Sequence, residues 1–406
     1  MIAQQLRKCL VTLVFSLVSI AMFSSNENTT LPAQHANEHG QHNTTESHSS
    51  GGGLIDTKPE IDAYKKHHLA DSHDFSLFSY TDSHGKRKHV GFSLPVIVWS
   101  SKGLVTFMSS EFHHNDDGSV IVTKNGAKFA KIHSKIYELD AGATAVKLDN
   151  DHHATNAHKV WDFSITKSVL GMLIAGLLML LLFGGLAKGY KKGPIPTGFS
   201  RVLEPLVIYV RDEIARPNIG EKKYRKYMGF LLTVFFFIWI LNLLGLTPFG
   251  FNVTGNIAVT VCLAIFTFLI TTFTANKDYW KHIFWMPGVP VPMKIVLMPI
   301  EILGMFTKPF SLLIRLFANI TAGHAVVMGL IAVAYTARET LGLAGGFGVS
   351  TLLTLFISLI ELLVAFLQAF IFTMLSSLFI GMAVEEHDHD HAHDAEVHGA
   401  EDNSIV

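Results

Sequence analysis

Residues 228–276 form 49 consecutive positions without an Asp, Glu, Lys, Arg or His. The hydrocarbon layer of a bilayer is about 30 Å thick and takes roughly 20 apolar residues per helix. The run is therefore read as two membrane spans, with Thr247-Pro248-Phe249-Gly250 supplying the turn between them. Hydrophobic residues make up 49% of the chain and charged residues 16%. That is too apolar for a soluble globule, while the N-terminal part is too polar for a pure membrane bundle, so two classes of segment are joined.

Residues 169–187 are uncharged and just long enough for an earlier span, and Lys188, Lys191 and Lys192 after it mark the cytoplasmic side. In 194–220 the apolar residues Val202, Leu203, Leu206, Val207, Val210 and Ile214 recur at helical spacing against Arg201, Glu204, Arg211, Asp212 and Glu213. That pattern predicts an amphipathic helix lying on the inner interface. Lys277, Lys281 and His282 return the 228–276 hairpin to the same side, and parity then puts a loop at 338–346 outside and the chain end inside.

The remaining apolar runs carry charge where a bilayer penalises it. Lys294, Glu301, Lys308 and Arg315 follow one another at intervals of seven, and each heptad advances a helix by two turns less about 20°, so the four share a slowly drifting stripe. Pro299 and Pro309 are placed to kink it. Lys294 and Lys308 can snorkel to an interface. Arg315 has about 20 uncharged residues after it and cannot shed its proton, and an arginine at mid-membrane depth costs from ~3 to more than 10 kcal/mol. It is read as functional.

Residues 352–384 hold one formal charge, Glu361, and also Gln368. If this run returns antiparallel to the first, depths can be compared at about 1.5 Å per residue. His324 lies about 13 Å beyond Arg315, and Gln368 about 10 Å beyond Glu361. Levelling His324 with Glu361 therefore brings Gln368 near the depth of Arg315 and Asn319, with Glu301 about 21 Å away on the other side. The result is a broken polar path with a fixed cation at the break. Asn242, in the earlier hairpin, either faces the bundle or caps a helix end near Pro248.

At these residues the chain resembles the a subunit of the F-type ATP synthase membrane sector, Fo. The resemblance is carried by Lys308-Pro-x-Ser311-x-x-x-Arg315-Leu-Phe-x-Asn319-x-x-Ala322-Gly323, by Leu367-Gln368-Ala369-Phe370-Ile371-Phe372 and by Asn242-Leu-Leu-Gly-Leu-Thr-Pro248, and it covers about 166–386. It implies that Arg315 is the essential arginine, with Ser311, Lys308 and Asn242 in support. It further implies a stator beside a ring of c subunits, each with one membrane-embedded carboxylate, and a b-subunit stalk, among other synthase subunits in the lipid bilayer of a bacterial inner membrane. Many members carry an acid where this chain has His324 and a histidine where it has Glu361, so the two polar types look exchanged between paired positions. The fold expected is membrane all-α: five transmembrane helices, an interfacial amphipathic helix and a long polar C-terminal helical hairpin (164–385), preceded by a small β-rich soluble domain.

That domain is read over 54–163, where short runs of β-formers occur at 75–80, 90–99, 104–108, 120–123 and 128–139. Asn125-Gly126 between two of them is a hairpin signal, because both residues tolerate positive φ. His67-His68, His113-His114 and His152-His153 could hold zinc, but neighbouring histidines point apart in a strand and no HxxxH or CxxC accompanies them, so they are read as surface residues. Ahead of the domain, Arg7 and Lys8 precede a 15-residue apolar stretch in 1–25, which is signal-peptide layout, and 26–53 is a His-rich linker. The acidic, His-rich tail 386–406 is read as solvated and cytoplasmic.

Function classes are excluded in turn. The only Gly-Lys pair, Gly85-Lys86, is followed by Arg, so no phosphate-binding G-x-x-x-x-G-K-[ST] loop exists. The chain is expected to bind no nucleotide, to be no enzyme by itself and to need no cofactor. A net charge of −1 argues against nucleic acid, and Cys9 and Cys262 alone make no metal site. The competing readings are a secondary transporter that binds a solute with Arg315 and Glu361, and a membrane-anchored metal-binding protein. The first usually shows related halves with interrupted helices in both, whereas the polar spans here are all C-terminal; the second leaves Arg315 unexplained.

Overall fold

The computed structural model describes residues 71–81, 87–113, 115–140, 142–143, 145–147, 154–193, 198, 200–247, 251–286 and 288–385. The signal peptide, the linker, the C-terminal tail, the turn at 248–250 and His67, His68, His114, His152 and His153 lie outside the described residues, as do the side chains of Asn319 and His324.

The N-terminal part is β-rich. Strands β1 (Asp74–Thr81) and β2 (Arg87–Ser93) form a hairpin. Strand β3 (Pro95–Ser100) lies between β4 (Gly103–Met108) and the short β9 (Trp161–Asp162), and β5 (Asp117–Lys124), β6 (Ala127–Ile132), β7 (Lys135–Leu139) and β8 (Ala157–Lys159) form an antiparallel sheet in sequence order. The β5–β6 turn is the one expected, with Lys124 opposite Ala127 and Asn125 and Gly126 both at positive φ. Two expected runs are each divided. The 90–99 run breaks at Leu94, and 128–139 breaks at His133-Ser134, which turn with φ 49° and 62°. Alternation along the strands sends Val96, Val98, Val105, Phe107, Val122, Phe129 and Ile136 into one core.

Among the described residues five helical stretches are long and apolar enough to cross a membrane, the last two within one continuous helix. Helix α1 (Lys167–Lys192) starts at Thr166, whose hydroxyl accepts from Val169 N–H. A short amphipathic segment follows: α2 (Ser200–Tyr209), a π-helical turn Val210–Ala215 and α3 (Arg216–Ile219). Helix α4 (Tyr224–Leu246) is central, with 72% of its most apolar stretch buried. It is followed by α5 (Ile257–Thr274) and the short α6 (Lys277–Phe284). Helical backbone then runs without a break through α7 (Val291–Val384).

A straight helix of that length would reach about 140 Å. Contacts between its halves show that α7 doubles back instead, between Gly323 and Glu361. The stretch 338–346, expected as a loop, is helical. Helical bonding lets the backbone satisfy its own polar groups in an apolar setting, which a loop cannot do. The arms of α7 are barely covered by the rest of the chain: 6% of the first arm's most apolar stretch is buried and 22% of the second's. Arms this rich in exposed apolar side chains require lipid or another chain against them.

The two parts are joined by shared packing. Phe75 and Leu94 belong to the membrane core cluster and not to that of the β-sheets, and the Phe75 ring lies 5.2 Å from that of Phe251. Within the β-rich part, buried His73 Nε2 bonds Asp162 Oδ2 at 2.8 Å, and buried Lys131 Nζ donates to Asp74 Oδ2 at 2.7 Å. Burial alone would raise the Asp162 carboxyl, but the His73 bond and charge, with help from Ser164, hold it below the usual carboxylate range.

Candidate functional site

The two arms of α7 meet at Gly323. A Cβ added there would stand 2.8 Å from Glu361 Oε1, so no side chain separates that backbone from the carboxylate. Along a straight helix these residues would be about 57 Å apart. Lower down, Lys308 Nζ sits 5.6 Å from the Phe379 ring centroid, which sets the arms antiparallel. The sequence levelled His324 with Glu361; the contact made by Gly323 lies within one residue of that level. Glu361 Oε1 is buried without a hydrogen-bond partner among the described residues.

Glu361 opens on a cavity of about 290 Å³, with Gln368, Asn242, Thr254, Ala322 and Gly323 among its lining residues. Asn242 is buried and faces the bundle, which decides between its two expected placements. Its Nδ2 donates to the Ala365 carbonyl at 3.3 Å, and its Oδ1 accepts from Thr254 Oγ1 at 3.1 Å. The amide thus ties α4 to the second arm one turn from Glu361. Gln368, two turns from Glu361, is 2% exposed. Thr254 is buried as well. The sequence did not single out Thr254; it stands just past the Pro248 turn in a segment that pattern reading treats as a connection.

A second recess lies toward the other end of the arms. Lys308 lines it with Thr267, Thr271, Tyr279 and Leu312. Glu301 Oε1 stands 3.8 Å from His282 Nδ1 on α6. Burial pushes the Tyr279 phenol up, and the nearby Glu301 charge adds to it. His282 was a missed member of this group. Its signal was its position: it and His324 are the two histidines in the membrane core segment.

Arg315 belongs to neither recess. Leu312 and Leu316 beside it are buried, whereas Ser311, Arg315, Ala318 and Ala322 form an exposed stripe. Among the described residues Arg315 has no ion-pair or hydrogen-bond partner. Lys294, Glu301 and Lys308 are partly covered, so the heptad line does turn outward, as a drift of about 60° over three heptads requires. Gln368 is buried, whereas Arg315 is exposed. Small residues flanking Arg315 leave its face open to close approach by another helix.

The chain can be compared with known proteins once this geometry, two recesses at opposite ends of a folded-back helix with an arginine between them, is in place. A family model described as ATP synthase A chain matches residues 169–381. The chain belongs to this family. Among its relatives is ATP synthase subunit a of Chloroherpeton thalassium, 42% identical over an alignment 273 residues long that covers 61% of this chain and 80% of the relative. The subunit a of Chlorobium phaeobacteroides is 45% identical, covering 57% and 70%. That of Chlorobaculum tepidum is 43% identical, covering 58% and 68%. Residues 64–163 match a separate model described only as a domain of unknown function. Within the ATP synthase A chain family the solute-transporter reading of Arg315 and Glu361 is not favoured.

Proposed function

We infer that this chain is the proton-translocating stator subunit of the F-type ATP synthase membrane sector, a multi-pass and non-catalytic subunit that works with the c-subunit ring and b subunits. The observation that carries this reading is Arg315, exposed on an otherwise apolar face between two recesses. On that face it meets the ring carboxylates. Protons enter through the cavity lined by Glu361, Gln368 and Asn242, with Asn319 and His324 on the facing arm. They pass to a ring carboxylate, travel with the ring, and leave past Glu301 and His282.

The arginine enforces that route. A fixed cation beside a carboxylate favours the ionised form, so a ring site passing Arg315 gives up its proton and none crosses directly between recesses. Each charge that crosses 100 mV releases about 2.3 kcal/mol, so a direct leak would dissipate the drive.

In this reading the β-rich domain and the Glu361 cavity face the outside, the amphipathic segment from Ser200 to Ile219 lies on the inner interface, and the tail is cytoplasmic. The abundance of Lys near 188–192, 222–226 and 277–281 supports that orientation. The test is Arg315→Ala in the assembled synthase, which should abolish ATP-driven proton pumping while leaving the complex intact. Near-normal coupled pumping in that variant would refute the assignment.

A further inference from the structure

The segment 251–256, between α4 and α5, is held from three sides. The N-terminal domain holds both its ends. Phe75 packs on Phe251, and Asp71 Oδ2 accepts from Asn256 Nδ2 at 3.4 Å. The same carboxylate accepts from Ser168 N–H at 3.0 Å and Thr166 Oγ1 at 3.1 Å, where α1 begins. Helix α1 holds the middle: a Cβ on Gly171 would lie 2.7 Å from Val253 Cγ2 and 3.0 Å from the Phe251 ring, so only glycine admits the segment this closely. From α4, Asn242 receives Thr254 Oγ1 and itself bonds the Ala365 carbonyl beside the Glu361 cavity.

We propose that the N-terminal domain is a clamp on the mouth of the proton cavity: Asp71 and Phe75 fix the 251–256 segment, and that segment, through Thr254 and Asn242, fixes the wall facing Glu361. Asp71 is a positioning residue and touches no proton in transit. Its carboxylate is the point where the domain, the start of α1 and the cap of α5 converge, since Asn256 Oδ1 also caps Ala258 N–H. The Phe251 and Val253 side chains are buried, so the segment has no slack of its own. The proposal rests on reading the Glu361 cavity as part of the path.

The test exchanges the latch in the assembled synthase. Asp71→Asn keeps its one oxygen for Ser168 N–H and turns its Nδ2 against Asn256 Nδ2, donor against donor, and Asn256→Asp sets two carboxylates face to face, whereas the double exchange restores one donor and one acceptor, with Asp an equally good cap for α5. Each variant carries Val253→Cys with Cys9 and Cys262 replaced by serine, which leaves the Thr254–Asn242 bond in place, and is labelled from the domain side with a membrane-impermeant maleimide. Val253 is fully buried, so the reference complex labels slowly. Losing a hydrogen bond to a charged group raises the population of the displaced segment roughly tenfold. Both single variants should therefore label about tenfold faster and pump more slowly, and the double should return toward the reference on both counts. A merely structural role would not give rescue by exchange. If a single variant fails to assemble, restored assembly with slow labelling in the double supports the clamp, and failure of the double overturns it. Unchanged labelling and pumping in assembled single variants also overturns it. Glu361→Gln, measured alongside, separates the two readings: normal pumping there refutes the path through the cavity, whereas labelling reports on the clamp regardless.

Discussion

Gly323→Ala should slow proton transport without loosening the fold. The added methyl carbon would stand 2.8 Å from Glu361 Oε1, 3.6 Å from its Cδ and 3.8 Å from its Cγ. An oxygen and a methyl carbon rest at roughly 3.4 Å or more, so the carboxylate must retreat by several tenths of an ångström. Only the end of a flexible side chain has to yield, and it borders a cavity of about 290 Å³ that can receive it. Alanine meanwhile improves helix propensity by up to about 1 kcal/mol, so assembly should be unchanged or better. Function is more sensitive: a misplacement of about 1 Å can cost on the order of a hundredfold, so a shift of a few tenths should slow transport about three- to tenfold. Glu361→Asp shortens the side chain by one methylene and withdraws the carboxylate from the new methyl. The double variant should therefore pump faster than the product of the two single effects predicts. The assay is ATP-driven proton pumping in vesicles, normalised to assembled complex. Wild-type rates in Gly323→Ala, or strict multiplicativity in the double, would refute the claim that transport depends on the carboxylate at this contact.

Two further outcomes are expected. His324→Glu places a second carboxylate in the helix turn facing Glu361, where like charges repel and pumping slows; adding Glu361→His should recover part of the rate, and a double as poor as the product of the singles would mean that the two act independently. In the β-rich domain, the depressed carboxyl of Asp162 contributes stability that is fully present above the ordinary value of 3.8 and is lost as pH falls through its lower folded value. The protection of β3 and β9 amides against hydrogen exchange, taken relative to the intrinsic rate at each pH, should therefore fall on acidification through that window in the parent complex, and an equal fall in Asp162→Asn would show that another group is responsible.

The sequence by itself determined which segments can enter a membrane and that Arg315 cannot be there without cause, because both follow from the cost of placing charge and unbonded backbone in hydrocarbon. It also determined the β5–β6 turn, since Asn125-Gly126 states its backbone requirement locally. Tertiary structure decided the rest. His133 and Ser134 turn the chain with φ values that their residue types do not announce. The fold-back of α7 depends on its arms packing together, so helical residues at 338–346 and a connecting loop are indistinguishable by composition. The two roles open to Asn242 differ only in what stands opposite, and Ala365 is 123 positions away. Likewise the Glu301–His282 approach and the grip of Asp71 on Asn256 join residues whose spacing carries no period. Local pattern encodes what a segment must do with its own backbone and surface; which polar side chain meets which is settled by long-range packing that no local pattern contains.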